Sequence, residues 1–159
     1  MATLDATQLI EQLHLVPLEK EGGYFHRVMT FKDGKEKEAG SIIYYLMTEN
    51  SFSALHRLAH DESWLFLDGD PVEQLQLLPD GTHSLTILGK AGEGYAPYAL
   101  VENDCWQGTR LKHGGHWALV ACVLVPAFRY DAFELGGREL LEMYPGVAFL
   151  GDFLAGKEA

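Results

Sequence analysis

His56-Arg57-Leu58-Ala59-His60-Asp61-Glu62-Ser63-Trp64-Leu65-Phe66-Leu67-Asp68-Gly69 is the stretch on which the fold turns. Two strand-like runs flank a tight polar turn. With a side-chain period of two, Glu62, Trp64 and Phe66 share one face of the second run, and Ser63, Leu65 and Leu67 share the other. His56 and Leu58 share a face of the run before it. A carboxylate in line with Trp64 and Phe66 is aimed at an apolar interior, where it is costly unless paired or liganded. The stretch therefore reads both as sheet and as a place to look for a site.

Working outward, strand signals recur at 41–47, 52–58, 72–78, 83–88, 106–111, 116–125 and 129–134. Turn residues separate them, among them Asp68-Gly69-Asp70-Pro71, Pro79-Asp80-Gly81 and Gly114-Gly115. Many short strands at this spacing predict an all-β sandwich or barrel rather than alternating βαβ units. The polar tract 31–41, with Asp33-Gly34, reads as a hairpin or a mobile loop. Residues 3–15 read as a helix with an apolar stripe of Leu4, Leu9, Ile10 and Leu13, capped by Thr3 or Asp5 and ended by Pro17. A second short helix is expected at 138–144. The tail from 145 carries Val147, Phe149, Leu150, Phe153 and Leu154, which suit packing against the body. Residues 1–159 are read as one domain: an N-terminal helix over 1–16, a core over about 20–135 and an extension over 136–159.

The chain of 159 residues carries a formal charge of -11, with only 12 Lys and Arg. Those basic residues are scattered, whereas a nucleic-acid binder needs a basic footprint; no nucleic-acid partner is expected. No apolar run reaches the roughly 20 residues of a membrane helix, so no membrane partner is expected. The first residues lack a basic stretch followed by an apolar one. On that ground a cytoplasmic location is expected, with Cys105 and Cys122 as free, buried packing residues.

The stretch 56–69 resembles the first motif of the cupins, a His-x-His followed by Glu and a closing Gly. His56 matches the first His, Glu62 the Glu and Gly69 the Gly, while Leu58 stands where the second His belongs. In the second motif, near 101–108, Asp104 replaces the usual Gly and Gln107 the usual His. The likeness is closer to the DUF985 (Cupin_5) type, through Glu21-Gly22-Gly23-Tyr24-Phe25, the run Ile42-Ile43-Tyr44-Tyr45-Leu46, His56-Arg57, Asp61-Glu62-Ser63-Trp64, and the segment from Pro126 to Phe133. It covers roughly residues 4–145. The resemblance implies a double-stranded β-helix, or jelly roll, with short N- and C-terminal helices, and a homodimer; it carries no single activity.

The expected pocket is lined by Tyr24, Tyr44, His56, Glu62, Trp64 and Gln107, with Arg27 or Arg57 at its rim. Catalytic roles fall to His56 as a base, Glu62 as its partner and Tyr44 as an acid. Tyr24, Arg27, Arg57, Trp64 and Gln107 are the expected ligand contacts, the arginines suiting a carboxylate or phosphate. Any metal would have to use His56, Glu62 and Gln107, and Gln107 is a weak donor; a divalent ion would be held loosely, and no cofactor is expected. A metal-independent isomerase or epimerase acting on a sugar derivative or small carboxylic acid fits best. A non-catalytic metabolite-binding protein and a metal-dependent oxygenase or hydrolase are the alternatives.

Overall fold

A computed structural model describes residues 4–156 of the protein. The helix α1 (Ala6–Gln12) starts at Asp5, whose carboxylate accepts from the Gln8 amide while the Gln8 side chain returns a bond to the Asp5 amide. This reciprocal cap fixes the first turn. The helix is shorter than the apolar stripe suggested. It ends at Leu13, and His14 adopts φ +54°, so the chain has turned well before Pro17. Thr3, the other expected cap, lies outside the described residues.

Eleven strands follow: β1 (Val16–Pro17), β2 (Tyr24–Lys32), β3 (Glu38–Thr48), β4 (Ser53–Leu58), β5 (Glu62–Gly69), β6 (Val72–Leu77), β7 (His83–Leu88), β8 (Tyr98–Val101), β9 (Trp106–Leu111), β10 (Trp117–Leu124) and β11 (Phe133–Leu135). They form one sheet in the order β1-β2-β3-β10-β5-β8 and a second in the order β11-β4-β9-β6-β7. From β3 onward the chain passes between the sheets at nearly every step, with β6 and β7 the one consecutive pair in the same sheet. That is the jelly roll that the strand spacing and the family resemblance pointed to. The polar tract 31–41 is the β2–β3 hairpin, closed by Asp33, whose carboxylate accepts from the Lys35 and Lys37 amides. Two expectations need correction. Residues 129–134 begin as a 3-10 turn (Tyr130–Ala132) before β11. The strand β8 was missed, because its four residues alternate buried and exposed inside a loop rich in Gly and Pro.

Three apolar layers hold this together. Between the sheets lie Tyr45, Met47, Trp64, Val72, Leu88, Val101 and Val120. Outside the first sheet, α1 buries Leu9, and the turn after it Leu15, against Leu46 and Leu119. Outside the second, α2 (Glu139–Met143) and the tail bury Leu140, Leu150 and Phe153 against Leu55, Leu75, Leu77 and Trp106. Each fully buried large side chain contributes roughly 1.5–3 kcal/mol. Phe153 lies flat on β9: a Cβ on Gly108 would sit 3.0 Å from its ring and 3.2 Å from Leu55 Cγ. No helix among the described residues is long and apolar enough to cross a membrane.

Candidate functional site

The inward rows of the first sheet follow from its register. Arg27 pairs with Ile43, Ile43 with Cys122, and Cys122 with Trp64. In the next row Ser41 pairs with Leu124 and Leu124 with Glu62. His56 and Leu58 face these rows from β4. Between them is a cavity of about 280 Å³, bounded at one side by Phe128 and Tyr130 from the segment between β10 and β11. Two bonds fasten Phe128: its amide donates to Ser41 Oγ at 3.1 Å, and the Arg27 guanidinium donates to its carbonyl at 3.3 Å.

His56 is 2% exposed. Its Nδ1 lies 2.8 Å from the Ala54 carbonyl. A carbonyl only accepts, so Nδ1 carries the proton and, in the neutral ring, Nε2 keeps a free lone pair. The ring stacks on Phe133 with centroids 5.4 Å apart, and Nε2 lies 3.7 Å from Glu21 Oε1. Glu21 is itself held by Ser53, whose hydroxyl donates to Oε1 at 2.6 Å.

Glu62 completes the group. Its carboxylate accepts from Trp64 Nε1 at 3.0 Å, and Gln107 Oε1 accepts from the same N–H at 3.0 Å. Burial pushes the Glu62 carboxyl up to about 7; the charge of Glu21 adds to this, while His56, Gln107 and Trp64 oppose it. A carboxyl that ionises near neutrality populates both its acidic and its basic form. Tyr45 also faces the cavity, but its hydroxyl donates to the Gly22 carbonyl at 2.6 Å, and burial raises it well above the usual phenol range. Gly23 makes room for that hydroxyl: it adopts φ +73°, and a Cβ there would collide with the Tyr45 oxygen.

His56, Glu62, Trp64 and Arg27 thus line one cavity. Gln107 sits beside it, behind Trp64. Tyr24 and Tyr44 do not line it. They point to the outer face of the first sheet and pack with α1, and their neighbours Phe25 and Tyr45 take the inward positions. Arg57 is likewise outside. It follows His56 on the strand, so it faces away, paired with Glu134 at 2.5 Å and stacked over Trp106. Glu21 was not singled out as a site residue. For Glu21 the available signal was its position just before the double glycine that leads into β2. Cys122 also lines the cavity, and burial holds its thiol well above its usual range, so it stays protonated; it and Cys105 are free.

Comparison with known proteins places this geometry. Residues 7–136 match the family "Cupin superfamily (DUF985)". The chain belongs to the cupins of this family. No curated protein matches. Among solved structures, this cupin is similar to a protein of Shewanella oneidensis, with 29% identity, a TM-score of 0.87, and 98% and 100% of the two chains covered. It is also similar to a hypothetical protein from Leishmania major, with 27% identity, a TM-score of 0.84, and coverage of 95% and 99%. Bacillus subtilis oxalate decarboxylase shares the fold, at 11% identity and a TM-score of 0.60 over 89% of this chain and 35% of that one. Manganese is bound by oxalate decarboxylase, but the donor set of this cupin does not fit such an ion. Leu58 lines the cavity with methyl groups where a ligand would be needed. Gln107 Oε1 and Glu62 Oε1 are both turned to the indole of Trp64. Among the described residues no three His, Cys, Asp or Glu side chains are arranged to hold a metal.

Proposed function

We propose that this small-molecule-binding cupin is a metal-independent isomerase or epimerase, which moves a proton on a carbon next to a carbonyl. The observation that carries the reading is the pair His56 and Glu62 on one small cavity: an imidazole whose Nε2 is free to accept, facing a carboxyl that titrates near 7. His56 Nε2 removes the proton from carbon. The C–H electron pair becomes the C=C bond of an enol, and the carbonyl π pair takes a proton from the Glu62 carboxyl. Return of the His56 proton to the neighbouring carbon of a hydroxy-carbonyl substrate, with the proton of the original hydroxyl going to Glu62, completes an isomerisation; return to the same carbon once the enol has turned its other face to His56, with the enol O–H proton going back to Glu62, completes an epimerisation, and either regenerates both groups. The acid role foreseen for Tyr44 passes to Glu62, because Tyr44 faces α1.

The test is deuterium uptake from D2O at the carbon next to the carbonyl, followed by proton NMR over a panel of small oxo and hydroxy acids and aldose and ketose sugars. The wild-type protein is expected to label at least one of them catalytically. His56→Asn should lower that rate by about 10²–10⁴, the range for loss of a general base. Equal rates in the two proteins would overturn the reading.

A further inference from the structure

We infer that the substrate is a short monocarboxylate with an apolar body, gripped at its carboxylate by Arg27, rather than a polyhydroxylated sugar. The inference rests on the proton-transfer reading and narrows its substrate class. The polar atoms of the cavity are mostly spoken for. Ser41 Oγ binds the Phe128 amide, Tyr45 donates to Gly22, and Glu21 is bonded to Ser53. Besides the Tyr130 hydroxyl and the Ser41 hydroxyl, which keeps its own proton to donate, three groups remain to address a ligand: His56 Nε2, Glu62 and the Arg27 guanidinium. The rest of the lining is apolar, with Phe25, Ile43, Leu58, Leu124 and Phe128 between the two ends. Sugar hydroxyls laid along that wall would lose water and find no partners. A short hydrocarbon body loses nothing there.

Arg27 is the unusual member. Its guanidinium has five N–H donors, and its recorded partners among the described residues are two neutral oxygens, Phe128 O at 3.3 Å and Thr30 Oγ1 at 3.5 Å. It is a half-buried cation on an apolar cavity with donors to spare, which is the chemistry that selects a carboxylate. Arg27 and Trp64 stand in one inward row three strand spacings apart, roughly 14 Å between backbones, with Glu62 in the row beside Trp64. Glu21 repels a carboxylate from the His56 end, and Arg27 attracts it to the other. The two ends therefore allow one orientation, with the carbon next to the carboxylate-bearing end directed toward His56. The volume of about 280 Å³ is at the low edge of ligand pockets, roughly 300–1,000 Å³, and suits a molecule of a few carbons.

The probes are 2-oxobutanoate, its neutral amide and xylose, titrated calorimetrically into the full chain. The acid should bind, with the amide and the sugar at least tenfold weaker. Arg27→Met should weaken the acid by 30-fold or more, and Arg27→Lys should recover part of the loss. Arg27 also fastens Phe128, so Ser41→Ala is the companion variant: it cuts the other fastening and spares the guanidinium. Unchanged affinity in Ser41→Ala supports the anion grip. A loss in Ser41→Ala as large as in Arg27→Met would overturn it, as would xylose binding more tightly than the acid. Acid binding through Arg27 with no deuterium uptake would sink the proton-transfer reading and leave the grip standing. Uptake on a sugar, indifferent to Arg27→Met, would do the reverse.

Discussion

Two polar clusters are buried inside the same sandwich, and they differ in kind. Around β6 and β9, Gln74 donates to Thr109 Oγ1 at 3.2 Å and accepts from Gln76 at 3.1 Å, while Gln107 takes the Trp64 N–H. These groups are neutral, and Gln74, Gln76 and Thr109 are bonded to one another. Around β4 and β5, Glu21, His56 and Glu62 are titratable and open onto a cavity. Apart from His56 Nε2, which faces the cavity, neither cluster leaves a buried side-chain polar atom without a partner among the described residues. Satisfaction alone therefore does not separate structure from function here. What separates them is whether burial has been used to move a titration: amides and hydroxyls hold a fold at every pH, whereas a carboxyl pushed to about 7 is costly in its charged form and useful because of it.

The widest gap between the clusters should appear on replacing Glu62 by Gln. The amide can still accept from Trp64 but cannot supply a proton, so deuterium exchange should fall about 10²-fold, and the loss of wild-type rate as pH rises through about 7 should vanish. Stability should move the other way. The folded state holds the Glu62 proton up to about 7, the unfolded chain only to the ordinary value of 4.5, so wild-type stability declines as pH rises across that window. Glu62→Gln should then be more stable than wild type at pH 8, by up to about 3 kcal/mol at 1.36 kcal/mol per unit, and indistinguishable at pH 4.5. Urea midpoints at the two pH values measure this; equal differences at both would remove the distinction between the clusters.

In the neutral cluster, Thr109→Val removes the acceptor of the Gln74 amide without changing shape. It should cost about 1–3 kcal/mol, equally at both pH values, with exchange unaffected. The smallest effect is expected at Arg57→Ala. Its ion pair joins side chains that are 37% and 57% exposed, so its loss with the Trp106 stacking should stay near 1 kcal/mol. Ligand affinity should not change. A tenfold loss of affinity would return Arg57 to the site.

The sequence was most legible where one face of a strand is chemically unlike the other. Glu62, Trp64 and Phe66 alternate with Ser63, Leu65 and Leu67, and period two put the first set inside, where they are. It failed at Tyr44 and Tyr45, because β3 is covered on both faces, by the sandwich core within and by α1 without. Two adjacent tyrosines on a doubly covered strand give no phase. Arg57 was placed at the rim for the chemistry of its guanidinium, although it follows His56 on one strand and so takes the opposite face. Glu21 belongs to a loop, where no period applies, and it reaches the site only through the turn that Gly22 and Gly23 allow. The tail was read correctly in outline, since five apolar residues in so short a segment must be covered by something.

That tail has a consequence for how sequences of this kind can drift. Phe153 rests on Gly108, and Gly108 is the immediate neighbour of Gln107. The two positions form a lineage-level pair: any side chain gained at 108 must be matched by a smaller residue at 153, or the tail lifts from the sheet. Homologues that lack the tail should therefore be free to carry a larger residue at 108, and those that keep a bulky aromatic at 153 should keep glycine. Records of the two positions changing together would reveal ancestral choices about the wall behind the site, made without touching any residue within it.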